Sequence, residues 1–253
     1  MEPIDPACER TEHRSGFTEN QKASAYPPGI EGHFWLQSRC RIVCDKIRTA
    51  GAASPVLDLG CGPGITVDHL RRRGIECYGA DLVTYRPVAP DLGGALWYGK
   101  DAFDLSASCR GRFGTVLLLD VLEHILDPRA FVRRCIEAFP NVKHLLITLP
   151  ARQELWSNYD EFYGHHRRYD LESAAELCRE AGTEVIECGY FFHALYAAMA
   201  LQRLLSVGRS VELNPIRHQH LHGILSLYFY LEEKLLPGAI PGSSLLITAR
   251  VRH

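Results

Sequence analysis

The chain has 253 residues, with 28 Lys plus Arg against 30 Asp plus Glu and 46% hydrophobic residues. That length buries a full core as one domain, or as one domain with an appendage. The near-balance of charge, with no long run of one sign, leaves no basic footprint for nucleic acid. Nine cysteines without a C-x-x-C pair match neither a disulfide framework nor a zinc ribbon, and point to a reducing, cytoplasmic setting.

Residues 1–28 open with MEPIDPACERTEHR, which lacks the apolar core of a signal peptide. The segment is polar, proline-bearing and short of large apolar groups, so it is expected to be flexible. A single domain then spans 29–253. In HFWLQSRCRIVCDKIRTAG, Phe34, Leu36, Ile42, Val43 and Ile47 share a broad helix face and Gly51 stops it, which predicts a helical cap over 29–51. Cys40 and Cys44 fall on one face of it and read as core thiols. From residue 54, short β-rich runs alternate with helical ones. PVLDLG, IECYGADL, ALWYG, FGTVLLLD, VKHLLITLP, EVIECGYF and SLLITARV predict seven strands in an α/β sheet with helices on both faces. Asp127 and Pro128 open one intervening helix, and Asp170 opens another that closes on Gly182.

Between 191 and 243, two apolar helical patterns flank GRSVELNPIRHQHLHG. A helical insertion before the last strand is expected, because a structureless loop of that length is uncommon. Its first apolar run, at 191–207, is broken by His193, Gln202 and Arg203, short of the roughly 18 unbroken apolar residues of a spanning helix. No transmembrane segment is therefore expected. The insertion reads as a lid over a bulky or lipid-linked acceptor, with simple core packing as the equal alternative. Arg203, Arg209, Arg217 and Lys234 against Glu212, Glu232 and Glu233 give no cationic face for anionic membrane, so a peripheral membrane location is the lesser reading beside a cytoplasmic one. His218, His220 and His222 read as solvated or capping groups.

The stretch VLDLGCGPGITVDHL clears side chains from Gly60, Gly62 and Gly64, on either side of Cys61, between a strand and a helix. Such a turn brings backbone N–H groups and a helix N-terminus against a ligand. The spacing G-x-G-x-G departs from the G-x-G-x-x-G of dinucleotide folds, which disfavours an NAD-dependent oxidoreductase. Preceded by Asp58, the turn resembles the first motif of class I S-adenosylmethionine-dependent methyltransferases, whose fold is a seven-stranded Rossmann-like sheet. GADL, KDAFDL and LLLDVLEHILDP resemble further motifs in order, and DVLEH is similar to the wording of ubiquinone-biosynthesis O-methyltransferases. HFWLQSR, YGHHRRYD and LPGAIPGSSLLITARV look like a small bacterial branch of the family.

The resemblance implies S-adenosyl-L-methionine as cofactor and S-adenosyl-L-homocysteine as product. It implies that Asp81, beside Leu82, accepts hydrogen bonds from the ribose hydroxyls, and that Asp101 and Ala102 meet the adenine. Asp58, Gly60, Cys61, Gly62, Gly64 and Asp120 complete the expected cofactor site. The bland alternative is a tight turn beside solvated strand ends.

The cofactor's methyl group is already activated, so aligning an acceptor lone pair should dominate catalysis, with a general base needed only for a protonated acceptor. His165 and His166 in YGHHRRY are candidate bases, His124 is a reserve, and which of the pair faces the site is not written in the sequence. Arg167 and Arg168 suit a carboxylate or phosphate on the acceptor, and Tyr169 is grouped with them. The alternative is that this loop packs through its tyrosines, its His and Arg bonded to backbone carbonyls. Trp35 and Arg39 lie one helical turn apart; Arg39 is expected at the cofactor's carboxylate and Trp35 over the acceptor. Asp120, Glu123 and His124 have the donor types for a cation, yet show no partner set, so no metal is expected. The leading function is methyl transfer to a small-molecule acceptor, with a hydroxyl expected, by a monomer or homodimer. A nucleotide-binding subunit or sensor that has lost transfer is the alternative.

Overall fold

The computed structural model describes residues 18–205, 210–211 and 218–252; Arg209, Glu212 and Arg217, counted above in the charge of the insertion, lie outside them. Seven strands make one sheet: β1 (Val56–Leu59), β2 (Cys77–Asp81), β3 (Leu96–Tyr98), β4 (Thr115–Leu119), β5 (His144–Pro150), β6 (Thr183–Phe191) and β7 (Ser244–Val251). Their order is β3-β2-β1-β4-β5-β7-β6, and β7 alone runs antiparallel to its neighbours. The order reverses between β1 and β4, the place where open α/β sheets take their ligands.

The central strands β1, β4 and β5 are buried along almost their whole length because both faces are covered. Successive residues point to opposite faces: Val116 and Leu118 join one core with Leu57, Leu59, Leu145 and Ile147, while Leu117 and Leu119 join the other with Val56 and Leu146. Numbering the helices in chain order, α1 is Glu19–Ala25, α2 Phe34–Thr49, α3 Ile65–Arg71, α4 Ala107–Arg110, α5 Pro128–Ala138, α6 Asn158–Tyr163, α7 Leu171–Glu180, α8 His193–Leu204 and α9 Gln219–Leu235. Val132 and Cys135 of α5 with Leu177 and Cys178 of α7 fill the first core; Ile42, Val43 and Ile47 of α2 with Val67 and Leu70 of α3 fill the second. Each fully buried side chain of this size is worth about 1.5–3 kcal/mol.

Two expectations change. Residues 18–28 carry a helix where the composition predicted a flexible segment: Thr18 and Gln21 form a reciprocal capping box that satisfies two orphan donors of α1, and Gln21 Nε2 donates to the Phe162 carbonyl at 2.6 Å. Residues 1–17 lie outside the described part. The predicted cap over 29–51 is an integral layer instead, since α2 packs on α3 and along α9. Its start is held by histidines, His33 Nδ1 accepting from Trp35 N–H and His222 Nδ1 accepting from Phe34 N–H. Gly51, at φ 58°, follows its last turn.

The insertion is helical. Phe192, at φ 61°, turns the chain out of β6 into α8, and the Glu232 carboxylate on α9 accepts from His193 and Ala194 N–H at 2.8 and 2.9 Å, capping α8. No helix among the described residues is long and apolar enough to cross a membrane.

Candidate active site

The carboxyl ends of β1, β2, β4 and β5 and the segment after β3 open into a cavity of about 1020 Å³, closed on its other sides by α1, α2, α8 and the loop after α6. The glycine turn forms its floor. Gly60, Gly62 and Gly64 have φ of 76°, 54° and 85°, a region costly for side-chain-bearing residues. A Cβ added at Gly62 would lie 2.6 Å from Tyr26 Oη, and one at Gly64 would lie 2.9 Å from Leu96 Cδ1. At those two glycines Tyr26 and Leu96 occupy the space a side chain would need. Gly60 and Cys61 border the cavity.

Asp81 stands at the end of β2. Its carboxylate accepts from Gly62 N–H at 2.9 Å and Val83 N–H at 2.8 Å. Burial raises its pKa, and those two bonds oppose the rise. Exposed Leu82 lies beside it on the cavity wall. Asp101 accepts from Phe103 N–H at 2.9 Å, so Asp101, Ala102 and Phe103 make a second edge of the cavity. Arg134 lies 3.9 Å over the Phe103 ring.

Asp58 is 2% exposed and its Oδ1 has no partner. Burial lifts its pKa to about 7, with Arg39 pulling the other way. Arg39 is ion-paired to Asp120 and lies 4.7 Å over the Trp35 ring, while its Nε has no partner. Asp120 has φ 57°, a strained conformation for a residue with a side chain, and also accepts from Thr148 Oγ1 at 3.2 Å. Trp35, Arg39, Asp58 and Asp120 border the cavity.

The opposite end is organised by Asp160, which sequence reasoning missed. Its fully buried carboxylate accepts from Arg168 Nε at 2.8 Å and NH2 at 3.1 Å, from Ser157 N–H at 2.9 Å, and lies 2.9 Å from His165 Nδ1. Burial pushes its pKa up, but the His165 bond and the Arg168 guanidinium outweigh this and hold it at about 2. Arg168 NH1 donates to the Ala151 carbonyl at 3.0 Å.

This geometry gives three side chains of the loop partners within the protein. Arg168, at the border of the cavity, directs three of its five N–H donors to Asp160 and Ala151. Arg167 turns away to the Leu126 carbonyl at 2.8 Å. Tyr169 is buried in the first core with its hydroxyl on the Leu122 carbonyl. The alternative reading of the loop, tyrosine packing with Arg on backbone carbonyls, holds for these residues. His165 and His166 do border the cavity, as does Trp35; His166 is exposed, with its backbone N–H on the Glu123 carbonyl at 2.8 Å.

His124 packs edge-on against His165 at 4.8 Å between ring centres. Burial, then the neighbouring His165 and His166, lower its pKa to about 4. Glu123 is 1% exposed, its Oε2 has no partner, and burial followed by Asp120 raises its pKa well above the usual carboxylate range. Glu123, His124 and His165 bring one ligand atom each to within 4.8 Å of one another. His165 thus adds a third donor beside Glu123 and His124 that the local spacing did not show. His218 and His220 are not part of it.

The wall formed by α8 is mostly apolar. Leu195, Ala198, Met199 and Gln202 of α8 face the cavity, the i, i+3, i+4, i+7 spacing of one helix face. That pattern was readable in the sequence, as was the Thr18-x-x-Gln21 box leading to Tyr26. Burial raises the Tyr26 pKa.

The methyltransferase domain family matches residues 34–188. The ubiquinone biosynthesis O-methyltransferase of Xanthomonas euvesicatoria is 33% identical over 166 residues, covering 58% of this chain and 69% of that protein. Its namesake in Psychrobacter cryohalolentis is 31% identical over 117 residues, 41% of this chain and 46% of the relative, so the chain spans less than half of that protein. Among solved structures, the Burkholderia thailandensis 1,6-didemethyltoxoflavin-N1-methyltransferase, with S-adenosylhomocysteine bound, shares the fold at a TM-score of 0.53 and 15% identity, covering 91% of this chain and 84% of that one. A methyltransferase from Thermotoga maritima gives the same TM-score and identity over 87% and 93%. Family match, relatives and sheet agree: the chain belongs to the methyltransferase domain family, as a class I S-adenosylmethionine-dependent methyltransferase.

Proposed function

We propose that the chain methylates a hydroxyl on a small molecule with an apolar body, with His165 as general base. The observation that carries this is the Asp160–His165 pair at the wall of a cavity whose facing side is the apolar flank of α8. With the proton of His165 on Nδ1 toward Asp160, Nε2 is left as an acceptor. Arg168 keeps Asp160 ionised, so the orienting bond persists. His165 then takes the acceptor's proton as its oxygen attacks, a contribution of about 10²- to 10⁴-fold.

The residues at the other end fit the cofactor. Bound there, it supplies a methyl group activated on a sulfonium. Each carboxylate oxygen of Asp81 holds one backbone N–H and retains a lone pair for a ribose hydroxyl. Asp101, Ala102 and Leu82 would flank the adenosyl group, with Gly60 and Cys61 beneath it. The partnerless Arg39 Nε and Asp58 Oδ1, beside Asp120, suit the carboxylate and ammonium of the methionine part. A cavity of about 1020 Å³ lies at the top of the usual range for small-molecule sites, enough for a cofactor and an acceptor. The relatives named as O-methyltransferases support oxygen as the acceptor atom, and the α8 face supports a bulky or lipid-linked body.

The unpartnered Glu123 Oε2 favours a second reading, in which a divalent cation on Glu123, His124 and His165 holds the acceptor oxygen. Methyl transfer from labelled cofactor to a metabolite extract separates the readings. Direct base catalysis predicts transfer that survives chelator and falls in His165→Ala. Loss with chelator and recovery on adding Mg²⁺ or Mn²⁺ supports the cation. Cofactor binding with no transfer to any extract component returns the chain to a ligand-binding subunit.

A further inference from the structure

Helix α9 is built inside out. Its polar groups face inward: Glu232 caps α8, Glu233 pairs with Lys46 at 2.8 Å, and the Tyr230 hydroxyl bonds to Asp45. Buried Phe229 stacks on Phe34 and meets Phe192 edge-on. Its outer face carries Leu221, Ile224, Tyr228, Leu231 and Leu235, exposed by 44–78%, with Leu227 beside them at 47%. The spacing of the first five is 3-4-3-4, the period of a helix-pairing seam. The exposed residues from 221 to 233 carry no charge, and exposed Lys234 beside Leu235 is paired with Asp45 and Glu233.

We propose that this face pairs with the same face of a second copy of the chain across a two-fold axis. The six side chains leave on the order of 600 Å² of apolar surface bare, the upper end for a monomer's largest patch. That area alone approaches the roughly 800 Å² that each partner contributes to a standard interface. A two-fold interface sets a patch against itself, and an uncharged seam meets its copy without like-charge repulsion. A lipid surface fits less well. A helix lying in a membrane interface carries Lys and Arg along its polar face, whereas the polar face of α9 is turned into the protein, and Lys234 is tied to Asp45 at 3.1 Å. Pairing would also brace the cavity, because Glu232 on the opposite side of α9 fixes the start of α8.

Sedimentation velocity of the full chain at micromolar concentration tests this, and the result expected is a two-copy species. Ile224→Glu with Leu231→Glu, both at exposed positions, should weaken self-association at least 100-fold and leave S-adenosylhomocysteine affinity within twofold. Mixing this variant with Ile224→Lys, Leu231→Lys should restore a two-copy species containing one of each. A single-copy wild type at tens of micromolar overturns the proposal, as does a Glu variant that stays paired. A single-copy wild type that floats with phosphatidylcholine vesicles, when the Glu variant does not, would reassign the face to lipid.

Discussion

Replacing Asp160 by Asn removes one charge on which both Arg168 and His165 depend. The carboxylate has a pKa of about 2 against an ordinary 3.8. At about 1.4 kcal/mol per pKa unit, that gap corresponds to about 2 kcal/mol of stability. The variant also leaves the Arg168 guanidinium, 8% exposed as a residue, without its counter-charge, which moves the expected loss toward about 3–5 kcal/mol. The sign follows from the direction of the pKa. A carboxyl whose folded value lies below its unfolded value stabilises fully above about pH 4, and that stabilisation is lost as pH falls toward 2. Urea unfolding at pH 7 should therefore show Asp160→Asn weaker by about 2–5 kcal/mol, with the gap to wild type narrowing below pH 4. Where the variant remains folded, turnover should fall roughly 10²-fold through the released His165, with S-adenosylhomocysteine affinity near normal. A loss under about 1 kcal/mol at pH 7, or a gap independent of pH, refutes the assignment of Asp160 as the organising charge.

Asp81→Ala should weaken S-adenosylhomocysteine binding by about 1–3 kcal/mol in calorimetric titration, and an unchanged affinity in a folded variant would remove the pocket from its proposed place. Gly62→Ala puts a Cβ against Tyr26 Oη on left-handed backbone, so α1 should detach; faster proteolysis near Tyr26 is expected, and wild-type rates would contradict it. His33, His69 and His124 are each lowered to about 4, burial being the main cause. These three imidazoles bind fewer protons in the native state than in the unfolded chain between pH 6.5 and 4 and lower stability as pH falls, while Asp58 and Glu123, whose raised values keep protons on the native state in the same window, act the other way. Urea midpoints of wild type and His124→Gln from pH 7 to 4.5 isolate one imidazole's share: the variant should gain stability relative to wild type as pH falls, and a constant difference would contradict it.

Local patterns were legible wherever the physics is local. Alternating apolar runs set the strands, Asp127–Pro128 and Asp170 set two helix starts, and the strand–glycine–helix turn located the floor of the site. Asp81, Leu82, Asp101 and Ala102 stand at strand ends on the cavity because the ends of neighbouring parallel strands converge there. The loop YGHHRRY was harder. Whether a guanidinium faces a ligand or a buried carboxylate depends on Asp160, eight residues upstream of Arg168 and brought back by α6. Arg167, Arg168 and Tyr169 look alike in sequence to residues that bind an anion. The roles of Gly62 and Gly64 were hidden for the same reason, since Tyr26 and Leu96 approach from distant segments. Tyr26 itself was masked by the polar composition around α1, although its capping box was visible.

The most direct test of methyl transfer to a hydroxyl at His165 is product identification by mass spectrometry. Purified chain, methyl-labelled S-adenosylmethionine and a metabolite extract are incubated together, with His165→Ala alongside. A labelled methyl ether that forms with wild type and is strongly reduced in His165→Ala is the predicted result. Label on nitrogen or carbon, or an ether formed equally by His165→Ala, would contradict the account.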